Sequence, residues 1–182
     1  MFRALSLFIF RLIGWRVTDH RPDPMVQAIY VVAPHTSNWD FIIGVLGRSI
    51  ARLGHARYLA KKQLFVWPIG WLFRALGGYP VDRSKHTNLT DQVAGYFWEI
   101  PGFSIAITPE GTRKQVKTWK TGFWRIAKAA NVPVILTSFD YAKKEIILRE
   151  PFYVGDDMEK DIAWMMDYFK QFKPRNRPVI AG

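Results

Sequence analysis

Apolar residues along the chain occur in two kinds of run, which predict alternating strands and helices. Short runs rich in β-branched and aromatic residues, such as 28–32, predict buried strands. Longer segments with apolar residues three and four positions apart, such as 156–172, predict amphipathic helices. No segment repeats. The alternation predicts one α/β domain with a mixed, mostly parallel sheet flanked by helices.

The predicted elements follow one another with short connections. Strands are predicted at 28–32, 57–60, 79–81, 103–107, 132–137, 145–148 and 152–153, and helices at about 41–53, 87–99, 122–130 and 156–172. The apolar segment 63–73 contains Pro68 and Gly70, which predict a broken or kinked helix that is buried or lies in a membrane interface. Pro80 places the strand 79–81 at a sheet edge, because proline donates no ladder hydrogen bond.

The first 17 residues form an apolar and aromatic segment interrupted by arginines. The segment is too short and too charged for a membrane-spanning helix, which needs about 20 mostly apolar residues. It also lacks the small-residue cleavage pattern of a signal peptide. We predict an N-terminal amphipathic helix that either lies in a membrane interface or packs on the core. The main domain is predicted at 18–182, and its first residues, 18–24, form a polar connector after this helix.

Composition narrows the possible partners. Hydrophobic residues make up 49% of the 182 residues and charged residues 23%, which is typical of a globular chain. The net charge of +11 indicates an anionic partner, whether nucleic acid, a membrane surface or a phosphorylated substrate. Two tracts without acidic residues, 41–81 and 111–139, favour an anion-binding surface. The absence of cysteine excludes disulfides and thiolate catalysis.

The stretch 33–41 carries the strongest candidate chemistry, because it places His35 in a turn between a strand and a helix that contains Asp40. Within one helix these side chains would point about 140° apart. They can meet only if His35 precedes the helix and the turn folds back over the first helical turn. A carboxylate on one imidazole nitrogen fixes the tautomer and leaves the other nitrogen free to accept a proton, here from a substrate hydroxyl. The alternative is a capping box of Ser37 and Asp40, with His35 as an ordinary turn residue.

Two further polar loops follow predicted strands, one at Asp82-Arg83 and one at 110–113. Open α/β sheets bind ligands at the carboxyl ends of their strands. Arginine suits phosphate, because its planar fork can bond two oxygens at once. The alternative for Arg83 is a surface ion pair with Asp82.

These loops and one later segment resemble the four motifs of the glycerolipid acyltransferase family, whose best-known members are lysophosphatidic acid acyltransferases. The His-x4-Asp motif is matched by His35 and Asp40, and the second motif, a glycine, a short β run and an arginine, by 78–83. The third motif, Pro-Glu-Gly-Thr-Arg, is matched by 109–113, and the fourth, Val-Pro-Val, by 132–134. The four matches fall in the family's order.

The resemblance implies a role for each matched residue. His35 would be the general base and Asp40 its orienter, while an acceptor hydroxyl attacks an acyl thioester of coenzyme A or acyl carrier protein. The amides at the helix start after His35 are one candidate for the oxyanion donor. The acceptor, a lysophospholipid or glycerol phosphate, would be bound through its phosphate by Arg83, Glu110, Gly111, Thr112 and Arg113. No metal and no other cofactor is implied, and 18–182 would be the acyltransferase domain.

Lipid substrates imply a peripheral or monotopic protein on an anionic membrane surface, at its cytoplasmic face. Two alternatives stay open. A thioesterase would use water in place of the acceptor hydroxyl. A nucleic-acid-binding module would account for the charge, but we find neither a recognised motif nor an aromatic-interleaved basic sheet, so we expect no nucleic acid partner.

Overall fold

The computed structural model describes residues 2–22, 27–81, 89–113 and 116–176. The strands of the described residues are β1 (Arg16–Asp19), β2 (Ile29–Ala33), β3 (Ala56–Lys61), β4 (Gly78–Val81), β5 (Ser104–Ile107), β6 (Val134–Asp140) and β7 (Glu145–Leu148). The helices are α1 (Phe2–Ile13), α2 (Trp39–Ile50), α3 (Gly70–Ala75), α4 (Leu89–Glu99), α5 (Gly122–Ala130) and α6 (Met158–Phe169), with a 3₁₀ turn at Lys62–Phe65.

The strands form one sheet in the order β1-β7-β6-β2-β5-β3-β4. Neighbouring strands are parallel except β6 and β7, which are antiparallel. The predicted mixed, mostly parallel sheet is therefore confirmed. Pro80 lies in β4, the edge strand, as its missing amide proton requires.

Helices cover both faces of this sheet. In β2, Ile29 and Val31 pack into one core with α4, α5 and α6, whereas Tyr30 packs into a second core with α1 and α2. A strand that is buried on both faces needs apolar residues at every position, which explains the continuous run that predicted β2. The α/β class and the flanking helices are confirmed.

The start of the chain differs from the expectation. Residues 16–19, predicted to be the end of a helix and the start of a connector, form β1 and pair in parallel with β7. Only Val17 among them is apolar, so no periodicity indicated a strand. The pairing is reinforced by Arg16, whose guanidinium donates to both carboxylate oxygens of Glu145 at 2.9 and 3.0 Å. β1 crosses the predicted boundary between 1–17 and 18–182.

The sequence left two apolar segments, 1–17 and 63–73, either packed on the core or lying in a membrane interface, and both are half-exposed in the structure. α1 buries Ser6 and Phe10 and contacts α2, while its opposite side exposes Phe8 and Leu12. The segment 63–73 is broken as predicted, into the 3₁₀ turn and α3. Among the described residues, no helix has the length and apolar content needed to cross a membrane.

The remaining differences lie at element ends. Phe152 forms a single antiparallel bridge with Val134 in place of the strand predicted at 152–153. The helix predicted at 156–172 is shorter and spans Met158–Phe169. It begins at Met158 because Asp157 caps it by accepting the Lys160 amide at 3.0 Å.

Candidate active site

His35 and Asp40 meet beyond the carboxyl end of β2. The strand ends at Ala33 and α2 begins at Trp39, so His35 precedes the helix and Asp40 lies in its first turn. The two side chains are joined between His35 Nδ1 and Asp40 Oδ2, which lie 3.1 Å apart. Because an ionised carboxylate only accepts hydrogen bonds, Nδ1 carries the proton and Nε2 of the neutral ring can take one up. Nε2 has no hydrogen bond within the part of the chain that the structure describes.

The carboxylate of Asp40 is buried, with 2% of the residue exposed, and both of its oxygens are bonded. Oδ2 also accepts the amides of Thr36 and Ser37 at 2.7 and 2.8 Å, and Oδ1 accepts the hydroxyl of Tyr141 at 2.6 Å. Burial opposes ionisation, but the hydrogen bonds from His35, Tyr141 and the two amides outweigh it and hold the pKa of Asp40 below its ordinary value. Asp40 is therefore a fixed negative charge at neutral pH.

Both interpretations of this turn describe part of it. Asp40 bonds the Ser37 amide, as a capping box predicts, and it also contacts His35. The box is not reciprocal, because the Ser37 hydroxyl accepts the Trp39 amide at 3.2 Å and the Asp40 amide donates to the Ser37 carbonyl oxygen. Since Asp40 occupies the amides of Thr36 and Ser37, these two amides are not available as oxyanion donors.

The loop after β5 contacts the same turn, because β5 is the parallel neighbour of β2. Glu110, 3% exposed, accepts the backbone amide of His35 at 3.0 Å on Oε2. Burial raises the pKa of Glu110 to about 8, an effect that the His35 amide opposes and the charge of Asp40 reinforces. The carboxyl is thus mostly protonated at pH 7. It joins the two loops and does not line the cavity described next.

A cavity of about 710 Å³ opens beside His35. Its polar part is lined by His35, Asp40, Gly111, Arg113 and Lys120. The side chains of Arg113 and Lys120 have neither an ion pair nor a hydrogen bond among the described residues. The two side chains therefore bring positive charge, without a partner among the described residues, to the same cavity as the imidazole.

The rest of the cavity runs between α2 and the sheet and is mainly apolar, with Val32, Val45, Tyr58 and Leu59 among its lining residues. Helix α2 lies close to the sheet at Gly47, where a Cβ atom would collide with Ile146. An apolar channel that shares one cavity with a few polar groups suits a ligand with a long apolar tail and a polar reactive end.

Of the other residues that the resemblance assigns to phosphate, Gly111 lines the same cavity, whereas Glu110 and Thr112 do not. Thr112 lines a second, shallower depression beside the loop. Arg83 lies outside the described residues. Gly111 has a positive φ of +65°, and a Cβ there would lie 2.7 Å from Lys120 Nζ. Glycine thus lets the Lys120 ammonium approach the loop closely.

Two residues of the site gave no signal in the sequence. Tyr141 bonds Asp40 across 101 positions, and Asn176 Nδ2 donates to the Thr36 carbonyl oxygen at 2.8 Å across 140 positions. No spacing rule connects residues so far apart. Among the described residues, no group of three or more histidine, cysteine, aspartate or glutamate side chains could hold a metal ion.

The fold agrees with comparisons to known proteins. A family model described as Acyltransferase matches residues 16–139, more than half of the chain. The protein belongs to this acyltransferase family, which confirms the resemblance seen in the motifs. Its fold is similar to the crystal structure of the 1-acyl-sn-glycerophosphate (LPA) acyltransferase, PlsC, from Thermotoga maritima. The TM-score is 0.63 and the sequence identity 20%, over 93% of this chain and 76% of that chain. No curated protein sequence matches significantly.

Proposed function

We propose that the protein transfers a fatty acyl group from an acyl thioester to the hydroxyl of a lysophospholipid or glycerol phosphate acceptor. The observation that carries the proposal is the cavity itself, which joins the His35–Asp40 pair, two cations that have no ion pair among the described residues, and an apolar channel. PlsC, whose fold is similar, is named for the same kind of reaction. The acyl carrier is either coenzyme A or acyl carrier protein.

In the reaction, His35 Nε2 takes the proton of the acceptor hydroxyl while the oxygen attacks the thioester carbonyl carbon. Asp40 holds the ring by Nδ1 and stabilises the imidazolium that forms. This attack forms the new C–O bond and gives a tetrahedral intermediate, whose collapse breaks the C–S bond and leaves the ester, while the imidazolium returns its proton to the departing thiolate. General-base assistance of this kind is worth roughly 10²–10⁴ in rate.

The acceptor phosphate would bind to Arg113 and Lys120. Both line the cavity beside His35, and neither is neutralised by a carboxylate among the described residues. Glu110 lies in the same loop, but because its pKa is raised, its carboxyl group is mostly uncharged at neutral pH. The loop therefore favours an anion, and the apolar channel is left for the acyl chain.

The exposed apolar residues support work at a membrane surface. Because β2, β3 and β5 are parallel, the segment after β3 leaves the same edge of the sheet as His35. This segment exposes Trp67 (91%) and Trp71 (69%), with Lys62 and Arg74 close in sequence. Contiguous exposed apolar surface marks interaction sites, and each base near an anionic bilayer is worth ~1 kcal/mol. We propose peripheral or monotopic binding at the cytoplasmic face.

The test is an assay of purified protein with labelled acyl-coenzyme A and a panel of acceptors. The panel contains lysophosphatidic acid, glycerol 3-phosphate, lysophosphatidylcholine and monoacylglycerol. We expect labelled product with a phosphate monoester acceptor and release of coenzyme A that depends on that acceptor. Equal release of free fatty acid with and without every acceptor would identify a thioesterase and overturn the proposal.

A further inference from the structure

The hydroxyl of Tyr141 contacts the proposed catalytic pair from outside the recognised motifs. Tyr141 follows β6, and its Oη donates to Asp40 Oδ1 at 2.6 Å. The two carboxylate oxygens are bonded unequally. Oδ2 is held by His35 Nδ1 and by two backbone amides, whereas Tyr141 is the donor that holds Oδ1 within the described residues.

This asymmetry gives Tyr141 a specific mechanical effect. Donors on Oδ2 fix the position of one oxygen, but rotation about the Cβ–Cγ bond still moves the other. A short hydrogen bond to Oδ1 fixes the plane of the carboxylate. Because the lone pairs of Oδ2 lie in that plane, the direction from which His35 Nδ1–H is accepted is fixed as well. Burial, followed by the hydrogen bond to Asp40, raises the pKa of Tyr141, so the hydroxyl keeps the proton that it donates.

Tyr141 is itself held by residues 173–176, which we name the C-terminal strap. The backbone amide of Tyr141 donates to the Lys173 carbonyl oxygen at 2.9 Å. The Arg175 guanidinium lies over the rings of Tyr141 and Trp39, at 5.8 and 5.2 Å from their centroids. Asn176 completes the strap through its bond to Thr36, so the strap contacts the His35 turn and Tyr141 together.

We propose that Tyr141 is a positioning residue, which aligns the Asp40 carboxylate with the His35 ring and is kept in place by the C-terminal strap. The inference rests on the proposed acyl transfer, because alignment of the pair matters only if His35 acts as the base. The pair belongs to the family motif, whereas the tyrosine and the strap are features of this chain outside the four motifs.

The first test is Tyr141→Phe, which removes the hydroxyl and retains the ring against Trp15 and Arg175. We expect kcat to fall roughly tenfold, less than the hundredfold that a 1 Å misplacement can cost, with both KM values within about twofold of wild type. Tyr153→Phe is the matched control, because the Tyr153 side chain is exposed and is absent from the cavity lining. Unchanged kcat in Tyr141→Phe would overturn the proposal.

A double-mutant cycle separates positioning from a general loss of stability. If Tyr141 acts through Asp40, Asp40→Asn combined with Tyr141→Phe should lose little more activity than Asp40→Asn alone. Independent, multiplying losses would show that the tyrosine acts elsewhere and would overturn the proposal. Asn176→Ala should lower kcat by about twofold to threefold, since it loosens the strap and leaves the tyrosine hydroxyl in place. If that variant kept the wild-type kcat, the C-terminal strap would have no part in positioning Tyr141.

A spectroscopic measurement distinguishes failure of this inference from failure of the proposed function. The proton on His35 Nδ1 gives a downfield ¹H NMR resonance when it is bonded to a carboxylate, whether or not any substrate is turned over. We expect this resonance to shift in Tyr141→Phe and to stay unchanged in Tyr153→Phe. A shift in a protein without acyl transfer would support the positioning and overturn the function. An unchanged resonance in a protein that transfers acyl groups would support the function and overturn the positioning.

Discussion

The turn at 34–40 and the segment 64–72 both follow parallel strands at the same edge of the sheet, yet they are held in opposite ways. In the turn, Thr36, Ser37 and Asp40 are buried polar residues, and the amides after Pro34 are accepted by buried carboxyl groups. In the segment, Trp67 and Trp71 are large apolar residues left in solvent.

This difference indicates that the turn must keep one conformation, whereas the segment has apolar surface available to bind a partner. A buried polar group without a partner is costly. The backbone amides of 35–37 and both oxygens of Asp40 are bonded, although Thr36 Oγ1 has no hydrogen bond among the described residues, so these bonds favour one arrangement of the turn. Exposed tryptophan makes no such demand on the fold, and burying it against a bilayer lowers the free energy of the complex. Substitutions in the turn should therefore change catalysis, and substitutions in the segment should change membrane binding.

The largest effect is expected in the turn itself. His35→Ala should lower acyl transfer by roughly 10²–10⁴, because no general base then takes the acceptor proton. The melting temperature should change little, since the Asp40 carboxylate keeps its bonds to the Thr36 and Ser37 amides. Steady-state rates together with a thermal melt check this. A variant that keeps its activity and melts at a lower temperature would show that the turn is structural only.

The next effect concerns the two cations, Arg113 and Lys120, that line the cavity with His35. Arg113→Ala and Lys120→Met should each raise the acceptor KM about tenfold or more, because a charge-assisted phosphate contact is worth about 1.5–3 kcal/mol. The donor KM should stay constant. Lys117→Met is the control, because Lys117 is exposed on the same loop and does not line the cavity.

The acceptor panel decides how the cation result is interpreted. With monoacylglycerol, which has no phosphate, the two cation variants and wild type should behave alike. A raised donor KM with an unchanged acceptor KM would assign these cations to the phosphates of coenzyme A.

The apolar segment gives the third effect. Trp67→Ser combined with Trp71→Ser should weaken flotation with vesicles of phosphatidylglycerol and phosphatidylcholine by tenfold or more, since each buried aromatic side chain contributes about 1.5–3 kcal/mol. Trp98→Ser is a matched control, because Trp98 on α4 is as exposed as Trp71, at 69%. Added salt should weaken binding further through screening of the basic residues. Flotation that is equal in all variants and indifferent to salt would separate these residues from membrane binding.

Sequence patterns predicted the elements whose apolar faces are complete. The strand β2 and the helix α5 were visible because burial on one or two faces leaves a period in the sequence. The strand β1 was missed, since an edge strand held by the ion pair of Arg16 and Glu145 needs few apolar residues. Local spacing also predicted that His35 and Asp40 could meet.

Other parts of the site depend on long-range contacts that local patterns do not contain. Tyr141 and Asn176 reach the turn only because β6 lies beside β2 and the C-terminal strap crosses the same edge of the sheet. The bond between Glu110 and the His35 amide depends likewise on β5 lying on the other side of β2. Motif matching found Glu110, but its burial became visible only in the fold.

The last prediction tests how strongly that buried carboxyl group fixes the turn. The pKa of Glu110 is raised in the folded state to about 8 from the ordinary 4.5, so the folded protein holds a proton there that the unfolded chain has released. The contribution to stability is therefore complete below pH 4.5 and is lost as the pH rises through 8. The free energy of unfolding should fall by up to about 1.4 kcal/mol per pH unit across this window.

Glu110→Gln isolates that contribution, because an amide cannot ionise and its oxygen can still accept the His35 amide. Urea unfolding at a series of pH values should give a smaller slope for the variant than for wild type between pH 4.5 and 8. The curves should run parallel outside this window, since the other titrating groups are unchanged. If the two curves are parallel throughout, Glu110 ionises equally in the folded and unfolded protein. Glu110 would then be solvated in the folded protein. The turn would be held less firmly than the burial of Glu110 indicates, and it would differ less from the exposed segment.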